Sequence, residues 1–213
     1  MEELARKDDL NLLFSATSSV CPPHNSVWRK TSSDVLLTIS RHSLSQPVIS
    51  YLHNKGCIAL SVENMQKLNS EMNLSSKEVR PLDIVEMFVS LFCFIKDSSV
   101  VSPVLLNDFR TCQGYVFLSE FLLNLEKYSD PEALEAVRNL VLLVASLSFC
   151  GHTELPLPPA LSCSSLYQLP GFSIPDPANN GATVRNIHAF QVAFFCLLLK
   201  REFHFFFILS HLY

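Results

Sequence analysis

The sequence predicts an all-α fold, and three observations carry that prediction. Prolines stand where helices would start, at Pro47, Pro81, Pro103 and Pro131, positions where a missing N–H costs nothing. Apolar residues recur at three- and four-residue steps in the segments that follow. Only 5 glycines serve 213 residues, and no segment alternates apolar with polar as a half-buried strand would. Hydrophobic residues make up 48% and charged residues 17%, which suits a packed core and excludes a disordered charged tail or a coiled-coil rod. A net charge of -4 with no block of like sign leaves no footprint for gripping phosphates, so nucleic acid is not an expected partner.

Taken in order, Val35, Leu36 and Ile39 make a short apolar face near Trp28. Pro47 begins Val48–Asn54, closed by Gly56. Pro81 begins Leu82–Lys96, where Leu82, Val85, Phe88, Val89, Phe92 and Ile95 share a face from which Asp83, Glu86 and Ser90 are excluded. Ser102-Pro103 opens Val104–Cys112, which Gly114 closes, and Phe117, Leu118, Phe121, Leu122 and Leu125 form the next face. Asp130-Pro131 opens Glu132–Phe149, read as the longest helix and closed by Gly151; it is apolar nearly all round after Leu140 and should lie between neighbours on two sides.

Residues 1–150 therefore read as degenerate helical pairs in an irregular armadillo- or HEAT-like α-solenoid segment, with a compact helical bundle as the structural rival. Residues 151–182 change character. Pro156, Pro158, Pro159, Pro170, Pro175 and Pro177 lie among serines, predicting a long Pro/Ser-rich extended connection. Its Leu166, Tyr167, Leu169, Phe172 and Ile174 argue that it lies against the helical body. Residues 183–213 are expected to hold a final helix from about Thr183, carrying Val184, Ile187 and Phe190, and an apolar C-terminal tail.

The seven cysteines are scattered and mostly embedded in apolar runs, as reduced buried thiols are. The charged start, Met1 to Asp9, lacks the apolar stretch of a secretory signal, which favours a cytoplasmic location. The sequon Asn73-Leu74-Ser75 would then go unused. Near the C-terminus, Lys200-Arg201-Glu202 interrupts the apolar run. On an insertion scale these charges cost about 8–10 kcal/mol at mid-membrane against about 4–8 recovered by their neighbours, so no transmembrane span is expected. Peripheral membrane contact through the tail, with its Phe205-Phe206-Phe207-Ile208-Leu209 run, is the alternative.

Signatures of chemistry are missing from the sequence: no glycine-rich phosphate cradle, nucleophile elbow or paired-histidine zinc helix can be read. No enzyme activity, cofactor, metal or catalytic residue is predicted. Cys21-Pro22-Pro23-His24 and Cys150-Gly151-His152 each offer two soft ligands where a structural zinc site needs four. His42 and His53 could titrate, but surface or capping roles explain them as well. Trp28-Arg29-Lys30 could anchor a contact, although the indole is expected to pack beside Val27 under the two bases. Lys96-Asp97-Ser98-Ser99 reads as a loop between helices that could be phosphorylated, although the chain's many serines make such matches common and no modification is predicted. A hydrolase assembled from distant Ser, His and Asp residues is the remote rival.

Several segments in order look familiar together: Glu3-Leu4-Ala5-Arg6-Lys7-Asp8-Asp9-Leu10, Leu13-Phe14-Ser15-Ala16, Trp28-Arg29-Lys30, Leu37-Thr38-Ile39-Ser40-Arg41-His42, Ile84-Val85-Glu86-Met87-Phe88 and Lys96-Asp97-Ser98-Ser99. Leu106-Asn107-Asp108-Phe109-Arg110, Gln113-Gly114-Tyr115, Leu169-Pro170-Gly171-Phe172 and Val184-Arg185-Asn186 continue the series. They resemble the N-terminal region of the WD-repeat- and FYVE-domain-containing proteins, the Alfy-type branch of the BEACH proteins. The resemblance implies a segment of a very large cytoplasmic scaffold in endolysosomal trafficking and selective autophagy, with protein partners and an α-solenoid fold. The BEACH, WD-repeat and FYVE parts of such proteins have no counterpart residues here, so no lipid, zinc or cargo role attaches to any position. After Ala189-Phe190 the chain departs from the family, from which a truncated or alternatively spliced product with an unrelated tail is expected.

Overall fold

A computed structural model describes residues 9–18, 26–73, 80–125, 131–151, 155–156 and 183–199. Nine helices are found among these: α1 (Asp9–Ser18), α2 (Ser26–Ser43), α3 (Gln46–Asn54), α4 (Cys57–Asn73), α5 (Pro81–Ser99), α6 (Val104–Thr111), α7 (Gly114–Asn124), α8 (Pro131–Leu147) and α9 (Ile187–Leu199). The fold is all-α apart from a two-residue antiparallel ladder, β1 (Leu155–Pro156) with β2 (Thr183–Val184), in which Leu155 pairs Val184 and Pro156 pairs Thr183. The chain divides into two compact units, Met1–Leu143 and Val144–Tyr213.

In the first unit, local chemistry places the helix ends. Pro47 and Pro81 occupy first-turn positions of α3 and α5, where the ring's fixed φ already suits a helix. The Asp83 carboxylate accepts the Arg80 backbone N–H at 3.1 Å, satisfying a donor that the start of α5 would otherwise leave open. Gly56, at φ 64, turns the chain between α3 and α4 as expected.

Gly114 does something other than close a helix. The left-handed residue at that turn is Gln113, at φ 59, and Gly114 opens α7. A Cβ on Gly114 would sit 2.5 Å from the buried Phe109 ring, so the missing side chain is what lets α7 start against α6.

Helix packing follows a regular rule. Each of the first four helices meets the one three places further along: α1 packs on α4, α2 on α5, α3 on α6 and α4 on α7. Sequential contacts α1–α2, α3–α4, α4–α5, α5–α6 and α6–α7 and the cross-contacts α4–α6 and α1–α5 complete the network, so α4 and α5 have neighbours on most sides. The core is aromatic. Phe88 and Phe92 on α5 contact Phe117 and Phe121 on α7 and Phe109 on α6 at ring separations of 4.9–5.6 Å, while Phe14 meets Phe94 edge-on at 4.9 Å and ties α1 to α5.

Four expectations are corrected here. The longest described helix is α5, which runs three residues past Lys96 because Asp97, Ser98 and Ser99 continue its last turn. Lys96-Asp97-Ser98-Ser99 is therefore helix and not loop, and Ser98 is 0% exposed with its hydroxyl donating to the Ile95 carbonyl at 2.9 Å. The buried stripe of α2 is Arg29, Ser32, Ser33, Leu36 and Ser40, whereas Val35 faces solvent, because polar contacts to α5 set the helix rotation. Trp28 is 62% exposed beside an exposed Val27, and Arg29 turns inward and leaves the indole uncovered.

In the second unit the Ser148 carbonyl accepts the Arg185 and Asn186 backbone N–H groups at 2.9 and 3.0 Å. The Asn186 side chain then accepts the Ala189 N–H at 3.2 Å, an N-cap that starts α9 at Ile187, because Thr183 and Val184 are engaged in the ladder. Residues 157–182, the body of the expected Pro/Ser-rich connection, and 200–213, the tail, lie outside the described residues.

Candidate functional site

An open groove of about 360 Å³ lies among α2, α5 and α8 in the first unit. Thr17 lines it from α1, Arg29, Lys30, Ser33, Asp34 and Leu37 from α2, Val85, Glu86, Met87, Val89 and Ser90 from α5, and Ala136 and Asn139 from α8. Helices α2, α5 and α8 are three places apart in the series, and α2 packs directly on α5.

One edge of the groove is an ion network. The Arg29 guanidinium donates to Asp83 at 2.9 Å and reaches Glu86 at 3.5 Å, and the exposed Lys30 ammonium meets the other Glu86 oxygen at 3.2 Å. Burial by itself pushes the Asp83 carboxyl up. The hydrogen bonds from Arg29 and the Arg80 N–H, with the charge of Arg29, outweigh that and hold it below the usual carboxylate range. At the far end of the same two helices the Ser40 hydroxyl meets an Asp97 oxygen at 2.7 Å. Helix α2 is thus held to α5 by polar contacts at both ends, with Leu36 buried between them.

The remaining candidates disperse. His42 is exposed on α2. His53 on α3 faces Asp108 on α6, its Nδ1 2.9 Å from both carboxylate oxygens, a pairing between helices that sequence spacing could not reveal. Cys150 is half-buried at the end of the α8 turn, while His152, Cys21, His24 and most of the sequon lie outside the described residues. Cys57 and Cys196 are buried, and burial pushes the half-buried Cys93 and Cys112 thiols up, with Asp97 adding to the effect at Cys93. Among the described residues no three His, Cys, Asp or Glu side chains cluster to hold a metal ion, and no helix is long and apolar enough to cross a membrane.

Sequence reasoning picked out Trp28-Arg29-Lys30 but missed Asp34, Glu86 and Asn139 as members of one surface. Asp34 and Asn139 stand in the chain as ordinary helix-surface polar residues, and only the α2–α5 contact brings Glu86 to Arg29 and Lys30.

No family model matches the chain, and no solved structure matches it. The chain is 32% identical over 193 residues to the mouse WD repeat- and FYVE domain-containing protein 4, and 31% identical over the same length to the human protein of that name. Each match covers 90% of this chain, which spans only 6% of the length of these relatives. An ordered similarity over nine-tenths of the chain relates it to the WD repeat- and FYVE domain-containing proteins.

Proposed function

We propose that this chain is a non-enzymatic protein-interaction segment of a scaffold in vesicle trafficking, and that its first unit is an irregular armadillo-like stack. The observation that carries this reading is the packing of each of the first four helices on the one three places later, with a groove bordered by residues of α2, α5 and α8. Similarity to WD repeat- and FYVE domain-containing protein 4 supports the trafficking setting. Endolysosomal membranes, selective autophagy and antigen-presentation trafficking are the contexts in which the scaffold would act, from a cytoplasmic location. The test is proximity labelling in cells by the chain fused to a biotin ligase. Enrichment of endosomal and autophagic proteins over a freely diffusing control supports the reading; labelling indistinguishable from that control removes it.

A second reading, peripheral membrane association, draws on Phe194 and Phe195, consecutive residues of α9 that are 49% and 43% exposed. Co-flotation with liposomes that is lost in Phe194→Ser/Phe195→Ser would favour it over the scaffold reading.

A further inference from the structure

We propose that the α2–α5–α8 groove receives an extended basic segment of a partner protein, with a lysine or arginine of that segment on the Asp34 carboxylate. The inference rests on the interaction reading above and names the partner's chemistry.

Charge decides the sign of the occupant. Both cations on the groove wall are already committed, Arg29 to Asp83 and Glu86 and Lys30 to Glu86. Asp34, one helical turn beyond Lys30 and exposed, makes no ion pair among the described residues. The charge left to meet an incoming group is therefore negative, and a cationic side chain is the complement.

Shape decides its form. Small-molecule sites enclose about 70–90% of the ligand and are mostly apolar and aromatic. This groove is open, lacks aromatic lining, and presents the small Ser33, Ser90 and Ala136. Such a floor admits a main chain. Asn139, exposed on α8, adds an amide that can both donate to and accept from peptide groups.

The test is fluorescence anisotropy of the full chain with a labelled peptide of alternating alanine and lysine, and with counterparts carrying glutamine or glutamate in place of lysine. Saturable binding of the lysine peptide is expected, weaker by about tenfold in Asp34→Lys, since charge reversal replaces attraction by repulsion of similar size. The glutamine peptide should bind several-fold more weakly than the lysine peptide, the glutamate peptide should not saturate, and Asn139→Ala should weaken the lysine peptide several-fold. Glu120→Lys makes the same charge change on the exposed surface of α7, outside the groove, and should stay within about twofold of the parent. Equal weakening by Glu120→Lys and Asp34→Lys, equal binding of lysine and glutamine peptides, absence of saturable binding, or Asp34-dependent self-association in place of peptide binding would each overturn the proposal. If peptide binding fails while proximity labelling still enriches trafficking proteins, the groove assignment falls and the scaffold reading stands.

Discussion

Replacing Arg29 by methionine keeps most of the side-chain volume and removes the charge that joins α2 to α5. Three consequences follow from the geometry. The 2.9 Å bond to Asp83, between largely buried groups, is a charge-assisted hydrogen bond whose loss costs about 1.5–3 kcal/mol. The 3.5 Å approach to Glu86, itself about a third exposed, adds no more than about 0.5 kcal/mol. Asp83 keeps the Arg80 N–H at 3.1 Å, so the total stays near 2–3 kcal/mol, below the ~3–5 kcal/mol of a fully stranded buried charge. With a urea slope of ~2 kcal/mol/M, the unfolding midpoint should fall by about 1–1.5 M at pH 7. The pH dependence separates charge from packing. A carboxyl whose folded pKa lies below its unfolded value contributes stability above about pH 4 and loses it as pH falls through the folded value, which is Asp83 in the parent. In Arg29→Met the lowering contacts from Arg29 are gone and burial remains, so Asp83 takes up its proton at higher pH and the deficit shrinks toward pH 3.5. Adding Asp83→Asn should recover part of the loss at pH 7. Urea titrations followed by circular dichroism at the two pH values test this. A midpoint within about 0.3 M of the parent at pH 7, or the same deficit at both pH values, would refute the reasoning.

Gly114→Ala should lower stability by about 1–3 kcal/mol, read as a fall in melting temperature, because the new Cβ meets the Phe109 ring at 2.5 Å and that ring is held by Phe92 and Tyr115. Ser98→Asp should leave little folded protein in a circular dichroism melt, since it puts a charge at a site with no solvent exposure, whereas Ser99→Asp, at the partly exposed end of α5, should be tolerated. Trp28→Ala should change stability by less than about 0.5 kcal/mol in urea unfolding, and any loss of partner labelling would then report a contact made by the exposed indole. Phe88→Ala removes a fully buried ring from the centre of the aromatic core and should cost about 3–5 kcal/mol in the same assay.

Helical periodicity and proline placement were enough to locate α3, α5, α6 and α8 and to select Phe88, Phe92, Phe117 and Phe121 for the core, because a 3.6-residue repeat and a missing N–H are properties of the chain itself. Residue order also carried the relation to the WD repeat- and FYVE domain-containing proteins. Pattern alone read α2 only in part: of the expected Val35, Leu36 and Ile39, only Leu36 is buried, in a stripe otherwise made of an arginine and serines. An inward Arg29 is stable only because Asp83 and Glu86, more than fifty residues away, meet it, and no local rule anticipates a partner at that separation. The same holds for Gly114, whose role depends on the Phe109 ring, and for the start of α9, displaced by pairing with Leu155 and Pro156. The groove belongs wholly to this second class: its residues come from four helices, α1, α2, α5 and α8, and share a surface only in the folded chain. Short-range sterics act within one turn and can be read along the chain, whereas charge pairing and close approach depend on distances that exist only after folding.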